Sequence, residues 1–295
     1  MKKIIFSALT ASLLMSSALI AQEKAPANAT ASQISKIAVN NARGKAVDQK
    51  GKLVQEAIDS LQSAHEALLA LDKNDKEGAT KAIEKALGKL EVILAAKDAP
   101  KMLPIKSYVV VNEFIGTSDG IKATVKIAKE FLDAGKVQLA RKALMPLTSE
   151  IDITTVSLPL VSYPDALKLA SKYIHSDKIA MAKEVLAIAL NTFDETTVII
   201  PIPLLKATDL IAAASDIAQK DKDKALLYLD AASESLKIAK ELGYVSKSEV
   251  TYKVLQDKID EVKKEIRGKN KAEKLFESLK EKLADFKAKV FSPEK

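Results

Sequence analysis

Val54, Ile58, Leu61, His65 and Leu68 step by four, three, four and three residues, the spacing of one apolar face of an α-helix. Asp72-Lys73-Asn74-Asp75 interrupts the pattern with turn residues. Ile83, Leu87, Leu90 and Leu94 then resume it, so the spacing predicts a helical hairpin that Lys97-Asp98-Ala99-Pro100 ends. Tyr108-Val109-Val110-Val111 is β-branched and aromatic and is closed by Gly116, which reads as a short strand over 108–112. After Gly120 a helix is expected through Phe131.

Thr154-Thr155-Val156-Ser157-Leu158-Pro159-Leu160 returns 42 residues later as Thr196-Thr197-Val198-Ile199-Ile200-Pro201-Ile202. The stripe before it returns at the same offset, Val137, Ala140, Leu144 and Leu147 becoming Ile179, Ala182, Leu186 and Ala189. A helix-then-extended unit is therefore read as copied. The stiff Thr-Thr-Val runs predict strands at 153–158 and 196–200, and Pro159, Pro201 and Pro203, which cannot donate to a ladder, belong at strand exits or an edge. Two such strands in one chain direction, joined by about thirty residues of helix, are expected to pair in parallel through a right-handed crossover.

Leu229, Ala232, Leu236 and Ala239 give a further helix, stopped by Gly243. Leu255, Ile259, Val262 and Ile266, then Leu279, Leu283, Phe286 and Val290, form a narrow apolar seam on either side of Gly268-Lys269-Asn270. The fold class is thus mainly α: helical hairpins with an internal 42-residue repeat and two or three short β-strands in a small sheet. Residues 1–21 read as a signal peptide, 22–32 as a flexible leader, 33–246 as the helical domain and 247–295 as a C-terminal amphipathic helical extension. The body is expected to fold without that extension.

The signal reading rests on Lys2 and Lys3 before the uncharged apolar stretch 4–20, with Ala21 as a small residue for cleavage ahead of Gln22-Glu23-Lys24. Leu19 at the minus-three position is bulkier than usual there, which leaves a cleavage site shifted by a few residues, or an uncleaved anchor, as the alternatives. Export to the periplasm is the expectation, with no membrane span after cleavage. The sequence has no cysteine, which removes disulfides, zinc-thiolate sites and thiol nucleophiles from consideration. Of 46 basic and 39 acidic residues, 14 basic and 10 acidic lie from residue 247 onward. Such mixed charge is a solvated surface, and without an aromatic-interleaved basic patch no nucleic-acid partner is expected.

Candidate chemistry is sparse. His65 on the apolar stripe reads as a core histidine with a hydrogen-bond partner, and His175 before Ser176-Asp177 as a cation near a helix end. Asp72, Asn74 and Gly78 resemble part of a calcium loop. Lys76 at the third ligand position and Ile83 in place of a bidentate Glu break it. Asn28-Ala29-Thr30 fits a glycosylation acceptor, a pattern common by chance. Tyr108, Tyr163 and Tyr173 flank the extended segments, where packing competes with lining a pocket. No catalytic, cofactor-binding or metal-binding residue is assigned, and no cofactor is expected.

The order of helical hairpin, Tyr-Val-Val-Val strand and two proline-punctuated segments, Val156-Ser157-Leu158-Pro159-Leu160 and Ile200-Pro201-Ile202-Pro203-Leu204, each followed by a helix, resembles the bacterial YfdX family over roughly 33–246. The resemblance implies an exported, predominantly helical, oligomeric protein linked to acid and drug stress. It brings no catalytic motif. The expected function is a non-enzymatic periplasmic interaction protein of the envelope stress response, binding partner or unfolded proteins and forming a homo-oligomer. The alternative is a binder of a small apolar molecule in a pocket near the repeat strands. With only two histidines, any acid response must come from carboxylates, between about pH 5 and 3.

Overall fold

The β-branched runs form strands and the prolines mark their limits. In a computed structural model, which describes residues 26, 28–48, 53–245, 249–268 and 272–290, strands β1 (Met102–Asn112), β2 (Glu150–Pro159) and β3 (Asp194–Pro201) lie side by side in the order β1-β2-β3. Pro159 and Pro201 are the last residues of their strands, and Pro104 sits on edge strand β1. Among the described residues eleven helices accompany this sheet, so the fold is mainly helical.

The strands pair antiparallel, not in parallel as the copied segments suggest. The Thr154 and Thr197 hydroxyls meet at 2.9 Å, and the Ile202 N–H donates to the Ser149 carbonyl at 2.9 Å. The pairing therefore steps forward on one strand and backward on the other. The reason is that each connection holds two helices instead of one. Between β1 and β2 come α4 (Ser118–Asp133) and α5 (Val137–Leu144); between β2 and β3 come α6 (Tyr163–His175) and α7 (Ile179–Ala189). A hairpin returns the chain to the end it left, so the next strand runs back.

Single left-handed residues make these turns. Gly135 has φ 70° and Asp177 φ 61°, and the residue after each closes the helix by donating back, Lys136 N–H to the Phe131 carbonyl at 2.7 Å and Lys178 N–H to the Tyr173 carbonyl at 2.8 Å. The hairpin of α2 (Gln55–Asp72) and α3 (Lys76–Leu94) turns in the same way at Asn74, φ 59°, and Asp75 caps α3 by accepting the Gly78 N–H at 2.8 Å.

The chain divides into two compact units. One holds residues 48–108 and 153–197. Here α2 packs on α3 and α6 on α7, with α3 against α6 and α2 against α7, around a core that includes Leu71, Ile83, Leu90, Leu103, Leu158, Leu167 and Leu186. The buried face of α2 is Ala57, Ser60, Ser63, Ala64, Ala67 and Leu71, not the stripe of larger residues. Small side chains let the two helices approach closely, and the Ser60 hydroxyl donates to the Ala86 carbonyl at 2.8 Å. Leu61 and Leu68 are only half-buried at the rim.

The other unit holds 109–152, 198–290 and the described residues up to 47. α8 (Ile202–Ile217) and α9 (Lys222–Glu241) share one core with α10 (Glu249–Arg267) and α11 (Glu273–Val290). Leu255, Ile259, Val262 and Ile266 of α10 and Phe276, Leu279, Leu283 and Phe286 of α11 are buried in it. The seam foreseen in the extension is therefore packed into this unit's core. α1 (Ala31–Asp48) begins with a reciprocal cap. Gln33 N–H donates to the Thr30 hydroxyl at 3.2 Å, and Thr30 N–H to Gln33 Oε1 at 2.7 Å. Within the segment 22–32 read as a flexible leader, Ala29 is buried and its carbonyl accepts the Tyr228 hydroxyl, while Thr30 and Ser32 are exposed. The signal-peptide segment 1–21 lies outside the described residues.

Candidate functional site

The α4–α5 hairpin is held by one edge. The Thr117 hydroxyl caps α4 by accepting the Gly120 N–H at 3.2 Å, and the Ser118 N–H donates to Glu234 of α9 at 2.8 Å. Ile121 and Ala128 of α4 are buried, α4 resting on α9, and Ala140 of α5 is buried where the two short helices meet. Val125, Leu132, Val137 and Leu144 are exposed, and Phe131 and Leu147 half-buried.

The α6–α7 hairpin shows what that stripe looks like when covered. Its helices follow 42 residues later in sequence, α5 starting at Val137 and α7 at Ile179. Leu167, Ile174 and Leu186 are 0%, 5% and 0% exposed; at the same offset Val125, Leu132 and Leu144 are 44%, 50% and 39% exposed. Val137 and Met145 are also exposed. The difference is a layer of helices: α2–α3 lies over α6–α7, with Lys183 pairing to Asp72 at 2.8 Å and Lys76 pairing to Asp177. Arg141 stands 42 residues before Lys183 and has no ion pair among the described residues. What the arrangement can do chemically is accept a second apolar surface.

The residues singled out by pattern fall elsewhere. His65 is exposed, which corrects the core-histidine reading, because the close contact between α2 and α3 is made by alanines one step around the helix. His175 lies in the last turn of α6, its Nδ1 2.8 Å from the Ser171 carbonyl, as a helix-end residue should. Asp72 and Asp75 serve an ion pair and a helix cap, and no group of metal-ligating side chains occurs among the described residues. Tyr163 is buried, Tyr173 half-buried against the same core and Tyr108 exposed, so the three do not converge. Burial pushes the Tyr163 hydroxyl up to about 12, with Ser60 acting the other way.

Two features escaped the pattern. On β2, burial and then the neighbouring Glu150 raise the Asp152 carboxyl above its ordinary value, and its Oδ1 is buried without a hydrogen-bond partner among the described residues. Nearby, the Tyr244 hydroxyl accepts the Ser149 N–H at 2.9 Å, and burial pushes it well up. Separately, Ser215 of α8 with Glu273, Lys274, Glu277, Ser278 and Glu281 of α11 lines an open, charged groove. The exposure of Val125, Leu132 and Leu144 has no signature of its own, since the same spacing serves a covered helix in α6–α7.

The family model for YfdX protein matches residues 60–199, from α2 to β3 and including both hairpins. Residues 60–199, a little under half of the chain, are thus similar to the YfdX family. The match is narrower than the 33–246 over which YfdX-like order is visible in the sequence. A solved structure of Salmonella Typhi YfdX is similar at 14% identity, covering 51% of this chain and 93% of that one with a TM-score of 0.36. No curated protein matches this chain. Among the described residues no helix is long and apolar enough to cross a membrane.

Proposed function

We propose that this YfdX-like protein is an exported, non-enzymatic interaction protein of the envelope response to acid and drug stress, and that it binds partner or unfolded proteins. The observation that carries the reading is the uncovered stripe of Val125, Leu132, Val137 and Leu144 on α4–α5. Contiguous exposed apolar surface favours association, at about 25 cal/mol for each Å² removed from water. The export part is supported by the sequence pattern of residues 1–21. Self-assembly into a homo-oligomer belongs to the proposal through faces other than this stripe.

Suppression of light scattering by reduced, unfolding α-lactalbumin tests the binding. The full chain is expected to suppress it at near-stoichiometric ratios, and the double variant Leu132→Asp/Leu144→Asp to lose that effect while melting unchanged. Equal suppression by both would remove the stripe from the function. Fractionation of expressing cells tests export: retention of the chain in the cytoplasm would overturn it.

Acid acts through carboxylates whose pKa shifts run in opposite directions. Hydrogen bonds from Gln55 at 2.7 Å and Lys89 at 3.0 Å hold Asp59 below its ordinary value. Its stabilisation is present above the unfolded pKa and is lost as pH falls through the lower folded one. Asp152 is raised, so its ionised form costs the folded state at neutral pH, and protonation removes that cost as pH falls through the raised value. Growing positive charge and the loss at Asp59 favour loosening below about pH 5. Oligomer size and dye-accessible apolar surface should change between about pH 5 and 3. A midpoint near 6.5 would point to histidine instead.

A further inference from the structure

The three hairpins that follow strands, α4–α5, α6–α7 and α8–α9, differ in one respect. The second and third each carry a further helical hairpin. α2–α3 covers α6–α7, and α10–α11 covers α8–α9, both within one unit. The covers are also matched in charge. Residues 163–189 hold four basic and three acidic residues under 55–94, which hold five basic and eight acidic. Residues 202–241 hold six basic and seven acidic under 249–290, which hold twelve basic and nine acidic. In both cases the cover carries the opposite net sign, and in both an ion pair joins the layers, Lys183 to Asp72 at 2.8 Å and Lys263 to Asp230 at 2.6 Å.

Among the described residues no such layer covers the α4–α5 hairpin, which has the strongest charge of the three, six basic against three acidic residues over 118–144. We infer that its apolar stripe docks an acidic amphipathic helical segment of another protein, which takes over it the place that α2–α3 takes over α6–α7. Val125, Leu132, Val137 and Leu144 would receive the partner's apolar residues. Arg141, at the position corresponding to Lys183, would take a carboxylate as Lys183 takes that of Asp72, and exposed Lys129 offers a second cation beside Val125 and Leu132. A second copy docking by the same face would set a net +3 against a net +3, which disfavours it. An anionic bilayer shares the charge attraction, but the covers seen in this chain are helices.

This inference rests on the interaction-protein reading and narrows its partner. The test uses the full chain and two labelled helical peptides with identical Leu and Ala stripes, one flanked by Glu and one by Lys, read by fluorescence anisotropy at low and high salt. The Glu peptide is expected to bind more than tenfold tighter than the Lys peptide. Lys129→Glu/Arg141→Glu should reverse that order, and Leu132→Asp/Leu144→Asp should abolish binding with an unchanged melt. Equal binding of both peptides, or binding of neither, overturns the acidic-helix partner; α-lactalbumin suppression that persists in that case leaves the broader reading standing. Preference for phosphatidylglycerol vesicles over the Glu peptide overturns it in favour of a lipid surface. A dimer in light scattering that Leu132→Asp dissociates overturns it in favour of a second copy.

Discussion

The hairpins α4–α5 and α6–α7 share a length scale, a left-handed turn and an apolar stripe, yet one is buried and the other bare. Leu167 is fully buried under α2–α3, whereas Val125 at the same offset is nearly half exposed. The difference lies in what packs on the helices and not in the helices themselves. α8–α9 extends the comparison, since its cover comes from the far end of the chain.

Removing a cover is the most severe way to probe this. Deleting residues 247–295 strips α10 and α11 from the core of their unit, exposing the faces of Leu210, Leu229 and Leu236. We expect that unit to lose its cooperative transition in differential scanning calorimetry; a melt unchanged from the full chain would show that α8–α9 can stand bare like α4–α5. Paired truncations measure the contrast within the hairpins. Leu167→Ala should cost about 2–5 kcal/mol in urea unfolding, while Val125→Ala should stay within about 0.5 kcal/mol. Comparable losses would mean that α4–α5 is covered in solution.

A smaller effect distinguishes the turns. Gly135 at φ 70° has open space around a built Cβ, so Gly135→Ala meets backbone strain alone and should cost about 1 kcal/mol, whereas Asp177→Gly should be close to neutral. The smallest concerns the ion pair. Asp72 and Lys183 are substantially exposed, so Asp72→Asn should cost well under about 1 kcal/mol, falling toward zero at high salt, and Arg141→Gln should leave stability unchanged. A larger loss from Arg141→Gln would reveal an intramolecular partner for that cation.

Much of the fold was legible in periodicity. The β-branched runs located all three strands, and the prolines fell at exits or on the edge strand because a missing N–H permits little else. Strand direction was not legible, because thirty residues of helical pattern do not reveal that Gly135 and Asp177 fold them into two helices. The buried face of α2 was misplaced because large residues dominate a periodicity count while alanines make the closest contact. The bare face of α4–α5 was illegible for a different reason. Periodicity reports which side of a helix is apolar and says nothing of whether a partner layer exists.

The alanines at 57, 64 and 67 also set how freely different parts of the chain can change. Any larger side chain there wedges α2 from α3, at a cost of about 1–3 kcal/mol, so the covering hairpin is confined to a narrow set of sequences. The exposed positions of α4–α5 carry no such constraint. In a saturation library selected only for folding, Ala64 should tolerate almost nothing beyond Gly or Ser, while Val125 and Leu144 accept most polar residues. A binding selection on the same library would then restrict those two positions, so that mutational tolerance, read twice, separates the parts of this chain that hold it together from the parts left open to adapt to a partner.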